Sequence, residues 1–156
     1  MKAHEHTHDF FMAAALEQAQ HALDAAEVPI GAVIIDAHGT IIGTGYNRVE
    51  QDQNQTHHAE ILAIQEASKK LGTWRLEGCW LYVTLEPCLM CLGAICLSRL
   101  DGMAFGAVSP EFGGLQLLSA ERSPIYFKRL MVLKGIQENE CAKFLKKFFK
   151  TARRGD

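Results

Sequence analysis

The sequence His58-Ala59-Glu60 is followed, 27 residues after Glu60, by Pro87-Cys88-Leu89-Met90-Cys91. The two segments contain an imidazole, two thiols and a carboxylate within short motifs. Three nitrogen and sulfur ligands leave the fourth tetrahedral position of a zinc ion open to water, as a catalytic rather than a structural site requires. The spacing therefore predicts that His58, Cys88 and Cys91 bind zinc and that Glu60 lies beside the metal as a carrier of protons.

The residues on either side predict alternating helices and strands. Helices are predicted over 9–26, 57–71, 88–97 and 138–154, and strands over 32–35, 40–46, 80–85, 103–108 and 130–133. This alternation is typical of an α/β fold in which helices cover a mostly buried sheet, here as one domain over 1–156. His58 is then expected in the first turn of one helix and both cysteines in the first turn of another, where partial positive charge favours a thiolate.

The composition is that of an ordinary soluble globular protein, with 48% hydrophobic and 22% charged residues in 156. No apolar run reaches the ~20 residues of a membrane span, and the first residues lack the basic-then-apolar pattern of a signal peptide, so we expect a cytoplasmic protein without a membrane partner. Five cysteines, an odd number, favour reduced thiols and a metal over a disulfide framework. Cys79, Cys96 and Cys141 have apolar neighbours and are expected in the core.

Two other interpretations of the motif remain open. A structural zinc site needs a fourth ligand, for which His57 is the only nearby candidate, although a solvated position at the helix start suits His57 better. Cys88 and Cys91 also match a thioredoxin-like redox pair, in which the upstream His-x-Glu has no role. His4, His6 and His8 alternate near the start of the chain; we expect a frayed terminus there, able to bind metal adventitiously.

The net charge of −2 does not favour nucleic acid, but basic residues concentrate at the C-terminus. A basic and aromatic set in the last predicted helix is a candidate for RNA contact through phosphates and stacked bases: Lys146, Lys147, Phe149, Lys150, Arg153 and Arg154. The alternative is a solvated helical face, with the neighbouring Phe148 in the core.

The pairing of His-x-Glu with Pro-Cys-x-x-Cys is the known signature of zinc-dependent nucleobase deaminases. Beyond it, the sequence resembles the TadA-type tRNA adenosine deaminases of the cytidine deaminase-like group over most of its length. The resemblance is carried by EVPIGAVI at 27–34, Asn47, THHAEILAI at 56–64, LGTWRLEGC at 71–79, LYVTLEPCLMCLGAI at 81–95 and ECAKFLKKFF at 140–149.

The resemblance implies a three-layer α/β/α cytidine deaminase-like fold with a central five-stranded mixed sheet, a homodimer and one Zn²⁺ per subunit. The implied substrate is the wobble adenosine of a tRNA anticodon stem-loop, which is converted to inosine. Position by position, His58, Cys88 and Cys91 match the zinc ligands and Glu60 the proton shuttle. Asn47 matches a residue that contacts the target nucleoside, and Ile30 and Ala59 match the lining of the base pocket.

One loop departs from the family pattern. Where relatives commonly have Asp-x-Lys-x-Gly, this sequence has Ser109-Pro110-Glu111-Phe112-Gly113, so that a lysine is replaced by an acid. Two other functions therefore stay open: a deaminase of guanine, cytosine or a nucleoside, and a non-catalytic zinc-binding subunit. The presence of Glu60 argues against the second, because such a subunit needs no free carboxylate at the metal.

Overall fold

The computed structural model describes residues 7–117, 125 and 127–155. Its helices are α1 (His8–Asp24), α2 (Val49–Asp52), α3 (Ala59–Leu71), α4 (Leu89–Leu97) and α5 (Glu138–Ala152). Its strands are β1 (Gly31–Ile35), β2 (Ile41–Tyr46), β3 (Trp80–Leu85), β4 (Gly102–Ala107) and β5 (Met131–Lys134). No helix within these described ranges is long and apolar enough to cross a membrane.

The five strands form one mixed sheet in the order β2-β1-β3-β4-β5. β1 pairs antiparallel with both β2 and β3, whereas β3, β4 and β5 run parallel. α3 and α4 pack on one face of the sheet, and α1 and α5 pack on the other. A separate cluster of buried apolar side chains lies between each pair of helices and the sheet. The three-layer α/β/α fold with a five-stranded mixed sheet is therefore confirmed.

α3 lies unusually close to the sheet because small residues meet at the contact. Ala59, Ala63 and Ala67 are fully buried on α3, and they face Gly43 and Gly45 of β2. A methyl group on either glycine would collide with the α3 backbone. The close packing fixes the height of α3 above the sheet, and with it the position of His58 and Glu60 at its start.

Several predicted boundaries were wrong. The stretch 47–56, predicted as a loop, contains α2, whose backbone N–H groups at Glu50 and Gln51 donate to the buried Glu27 carboxylate. α1 begins after Thr7 rather than with Asp9 as its cap. His58 and Cys88, predicted in first helical turns, have extended backbones and immediately precede α3 and α4.

The N-terminal histidines divide into two groups. His4 and His6 lie outside the described residues. The prediction of a frayed terminus was wrong for His8. This residue begins α1, and its Nδ1 lies 2.7 Å from the hydroxyl of the buried Tyr82. In the loop predicted as irregular over 109–124, residues 114–117 form a 3-10 turn, and 118–124 lie outside the described residues.

Candidate metal centre and substrate cleft

The start of α3 and the start of α4 meet at one end of the sheet. His58 and Cys88 each occupy the position before their helix, and Cys91 lies one turn into α4 on the same side as Cys88. Cys88 follows the end of β3 after Leu85, Glu86 and Pro87, and the Glu86 N–H donates to the Ala107 carbonyl at 2.8 Å. The starts of α3 and α4, which are about 30 residues apart in the sequence, therefore bring the three predicted ligands together.

The three ligand atoms are spaced as zinc requires. His58 Nδ1 lies 3.6 Å from Cys88 Sγ and 3.5 Å from Cys91 Sγ. Tetrahedral zinc with bonds of about 2.0–2.3 Å places its nitrogen and sulfur ligands roughly 3.5–3.8 Å apart, so the donor set and its spacing both fit. In the part of the chain that is described, no other cluster of histidine, cysteine and acidic side chains forms such a group.

The electrostatics of the two cysteines favour metal binding. The Cys91 thiol donates to the Cys88 sulfur, and with His58 this hydrogen bond lowers the pKa of Cys88 to about 4. The same shared proton, together with burial, raises the pKa of Cys91. Hydrogen bonding to Cys88 also raises the pKa of His58. Cys88 is therefore a thiolate at neutral pH, which is the form that binds zinc.

Glu60 lies beside this cluster but outside it. Its side chain is only 4% exposed, and burial is the largest cause of a raised pKa of its carboxyl group. With His58 and Cys88 it lines a cleft of about 890 Å³, which we call the main cleft. A carboxyl group whose pKa is raised above the ordinary value holds a proton more readily, as a residue that takes up and releases protons must.

His57 is not a fourth ligand. Its Nδ1 lies 2.7 Å from the Asp52 carboxylate, and its side chain is 27% exposed. The expectation of a solvated residue was therefore wrong, because Asp52 of α2 pairs with the ring. Gln55 was missed as a neighbour of the site: its side-chain amide lies 3.5 Å from Nε2 of His58, the ring nitrogen that faces away from the thiols.

The three predicted pocket residues surround His58. Asn47, Ile30 and Ala59 line a pocket of about 340 Å³ that also touches His58, and Ile30 lines the main cleft as well. Asn47 is 7% exposed, and its amide makes two long hydrogen bonds of 3.4 Å, to the Val28 carbonyl and from the Val49 N–H. The structure thus brings the three side chains to the edge of the metal site.

Most of the predicted RNA-binding residues lie along one groove of α5. This groove, of about 490 Å³, is lined by Leu145, Lys146, Phe149, Lys150, Arg153 and Arg154. Leu145, Phe149 and Arg153 also line the main cleft, so the α5 groove lies next to it. Lys147 lines neither, and the half-buried Phe148 lines the small pocket beside His58.

Sequence reasoning missed a second buried carboxylate at the cleft. Glu86 is 5% exposed and lines the main cleft, and its Oε2 accepts a hydrogen bond of 3.0 Å from the Ser109 N–H. The signal available in the sequence was an acidic residue inside an apolar run, directly before Pro87. The contact that explains it joins residues 23 positions apart and depends on the parallel pairing of β3 with β4.

Comparison with known proteins adds a family to this geometry. The family model of the cytidine and deoxycytidylate deaminase zinc-binding region matches residues 5–107. The chain is 44% identical over 150 residues to the tRNA-specific adenosine deaminase of Bacillus subtilis (strain 168), covering 94% of this chain and 91% of that one.

Solved structures give the same picture. One, from studies of A-to-I editing by tRNA:A34 deaminases at the wobble position of transfer RNA, is 40% identical with a TM-score of 0.79, covering 87% of this chain and 99% of that chain. Another, a guanine deaminase from Bacillus subtilis, is 34% identical with a TM-score of 0.65, covering 76% of this chain and 79% of that chain.

Proposed function

Because the chain belongs to the cytidine and deoxycytidylate deaminase family, and within it to the tRNA-specific adenosine deaminases, we propose that it converts adenosine to inosine at the wobble position of a tRNA anticodon. The observation that carries the proposal is the buried Glu60 carboxylate beside three side chains spaced for zinc, in a cleft that adjoins the basic α5 groove. The cleft supports the chemistry and the groove supports a nucleic acid substrate.

The reaction adds water to C6 of adenosine and releases ammonia. His58, Cys88 and Cys91 would hold a zinc ion, which would act as a Lewis acid and lower the pKa of water in the site. Glu60 accepts a proton from the attacking water and delivers it to the adjacent ring nitrogen. It then accepts the second proton from the hydroxyl added at C6 and transfers it to the exocyclic amine, which leaves as ammonia as its bond to C6 breaks and the C6 carbonyl forms. The raised pKa of the Glu60 carboxyl group suits both directions of transfer.

The pocket beside His58 holds the target nucleoside. Ile30 and Ala59 supply apolar walls for the base, and the amide of Asn47 supplies a donor and an acceptor for polar atoms of the nucleoside. The same proposal assigns to a backbone N–H near Cys88, at the start of α4, the stabilisation of negative charge on the oxygen that adds to C6.

The α5 groove binds the RNA backbone and a base next to the target. Lys146, Lys150, Arg153 and Arg154 contact phosphates, and Phe149, which is 49% exposed, stacks on a base. Bases of an anticodon loop are already unpaired, so moving the adenosine into the cleft costs little. Lys147 adds to the positive field of α5 rather than to the groove itself.

A second candidate is deamination of a free base such as guanine or cytosine. The similarity to a guanine deaminase supports this, as does the acidic Glu111 in the cleft wall, where a cation would suit RNA better. Such an enzyme would release ammonia from the free base without any RNA. It would also leave the α5 groove without a function.

We propose further that the protein is a cytoplasmic homodimer with one zinc ion per subunit. α4 is apolar on all sides, yet Leu89 and Leu97 are 50% and 63% exposed. A helix of this composition is normally covered, and a second copy of the chain would cover it. Leu97→Glu is expected to convert the dimer to a monomer in sedimentation equilibrium, and an unchanged mass would contradict this interface.

The function is tested with a panel of substrates and zinc-loaded protein. We expect inosine from an anticodon stem-loop with adenosine at the wobble position, and none when that adenosine is moved into the stem. Free guanine, cytosine and cytidine are expected to release no ammonia. Ammonia from guanine or cytosine together with an inert stem-loop would replace the proposed function by the second candidate.

A further inference from the structure

The loop Ser109–Gly113, which we call the cleft loop, places an exposed aromatic ring at the main cleft. Phe112 is 73% exposed, the highest exposure among the large apolar side chains of the described residues. It lines the main cleft together with Phe149 and Arg153. An exposed phenylalanine costs solvation free energy unless a partner covers it, so its position at the cleft needs an explanation.

Two hydrogen bonds fix the backbone at the first residue of the cleft loop. The Glu86 carboxylate accepts the Ser109 N–H at 3.0 Å, and the Gly113 N–H donates to the Ser109 carbonyl at 3.0 Å. Glu86 is buried, so this charge-assisted hydrogen bond is shielded from water. The bond ties the first residue of the loop to the end of β3.

The far end of the loop is tied to the metal site. Gly113 forms a β-bridge with Cys88, and the Gly114 N–H donates to the Pro87 carbonyl at 2.9 Å. A side chain at Gly113 would displace the Glu86 carboxylate, so glycine at this position leaves room for that carboxylate beneath the loop. Phe112 is therefore presented by a loop fixed at both ends, and its backbone needs no further ordering when a ligand binds.

The main cleft extends well beyond the groups that react. His58, Glu60 and Cys88 form one part of its wall, and Phe112, Phe149 and Arg153 another. A volume of about 890 Å³ exceeds what one nucleoside fills, since it lies in the upper range of sites for drug-sized ligands. The cleft therefore has space for a second base near the target.

We propose that Phe112 is a stacking platform for a nucleobase next to the target adenosine, and that Glu86 is a positioning residue that holds this platform at the cleft. The proposal rests on the proposed function, since it takes a single-stranded RNA as the ligand. A planar base covers the exposed ring, and stacking tolerates any base because each has a π face. Arg153 lies in the same cleft to pair with the phosphate.

The test measures KM and kcat for the anticodon stem-loop with wild type, Phe112→Ala and Phe112→Trp. Loss of one base stack is expected to raise KM about tenfold for Phe112→Ala with kcat little changed, whereas Phe112→Trp keeps the wild-type KM. An abasic residue at the neighbouring position that stacks on Phe112 should raise the wild-type KM by the same factor and leave Phe112→Ala unaffected. Phe10→Ala, which removes a 48% exposed phenylalanine on α1, is the control and should change neither constant.

Glu86→Ala tests the positioning role. It should raise KM as Phe112→Ala does, with zinc content unchanged. Because both changes remove the same contact, KM of the double variant Glu86→Ala/Phe112→Ala should be no higher than the larger KM of the two single variants. Glu86→Gln, which keeps an acceptor oxygen, should restore most of the affinity. If Glu86→Ala does not fold, the Phe112 variants still decide the platform.

Two results would overturn the proposal. The first is a KM for Phe112→Ala equal to that of wild type. The second is a change of oligomeric state in Phe112→Ala that accounts for its whole loss of affinity, because the ring would then belong to a contact between subunits. Anisotropy of a labelled stem-loop gives Kd without turnover. An inactive wild type would therefore contradict the proposed function while leaving the platform testable.

Discussion

At the scale of single residues, Cys88 differs from the other cysteines in its surroundings. Its pKa is lowered to about 4, first by the hydrogen bond from Cys91, whereas burial raises the pKa of Cys79 to about 11 and that of Cys141 to about 12. Iodoacetamide reacts with the thiolate. At pH 6 we therefore expect zinc-depleted protein to be alkylated at Cys88 and not at Cys79 or Cys141, as read by peptide mass spectrometry.

The pH profile and the metal provide the controls for this prediction. Because the pKa is lowered, the thiolate fraction of Cys88 stays high as the pH falls and is lost only near pH 4. An ordinary cysteine would lose its reactivity below its pKa of about 8.5. Zinc-loaded protein should be protected at the same pH. Equal labelling of Cys79 and Cys88 at pH 6 would contradict the electrostatic description of the site.

The sequence was sufficient for the residues whose role depends on local spacing. His58, Cys88 and Cys91 could be predicted as a metal-binding group because His-x-Glu and Cys-x-x-Cys are short motifs, and the two cysteines, three residues apart, can face the same metal ion. The roles of Glu86 and Gln55 could not be predicted. The burial of the Glu86 carboxylate and the contact of Gln55 with the His58 ring depend on how the chain packs in the folded protein. Phe112 likewise carried no signal until its exposure at the cleft was known.

At the scale of elements, the contact of α3 with β2 determines where the metal site lies. A methyl group at Gly45 would strike the Ala59 carbonyl and lie 2.8 Å from the Ala63 nitrogen. Gly45→Ala should therefore push α3 outward and lower the free energy of unfolding by about 1–3 kcal/mol. Since α3 places His58 and Glu60, zinc affinity should fall as well, and both effects are measured by urea unfolding and metal titration.

Gly93→Ala is the matched control, made in the Leu97→Glu background because Gly93 lies on the same exposed face of α4 as Leu89 and Leu97. Among the described residues, no atom apart from the adjoining α4 backbone lies within 4 Å of a methyl group at this position. The change should leave zinc affinity unaltered and raise the free energy of unfolding by up to about 1 kcal/mol through helix propensity. Wild-type stability and zinc affinity in Gly45→Ala would show that α3 does not position the site through this contact.

The geometry of α5 separates two neighbouring lysines. Lys150 lines the α5 groove and Lys147 does not, although both belong to the same helix and both are exposed. Lys150→Ala should weaken stem-loop binding and reduce the slope of log K against log salt by about 0.7, the value for one phosphate contact on a single strand. Lys147→Ala should change the slope less, and equal slopes for the two variants would contradict the assigned path of the RNA.

Elements with strong periodicity could be predicted and those that depend on distant partners could not. All five strands and the four longer helices were predicted within a few residues, because each is either a periodic or a continuously apolar segment bounded by turn residues. α2 was missed since it has four residues and its N–H groups are satisfied by Glu27, 23 positions earlier. The starts of α3 and α4 were placed early because an extended residue before a helix resembles its first turn in sequence.

At the scale of the whole molecule, the site exists because the sheet is mixed. Parallel pairing of β3 with β4 places the ends of both strands together, so that Glu86 meets the cleft loop and Cys88 meets Gly113. Antiparallel pairing of β1 with β2 and β3 brings α3 beside α4. The strand order could not be predicted from local patterns, because it depends on pairing between distant segments. Five strands were predicted from those patterns, whereas the mixed pairing followed from the family resemblance.

The most direct test of the central claim compares wild type with Glu60→Ala on an anticodon stem-loop bearing the wobble adenosine. Zinc content and inosine formation are measured on the same samples, with inosine identified by nucleoside mass spectrometry. We expect one zinc ion per subunit in both proteins and a loss of activity in Glu60→Ala of at least about 10²-fold. Full activity in the zinc-loaded variant, or no inosine from the zinc-loaded wild type, would contradict the account.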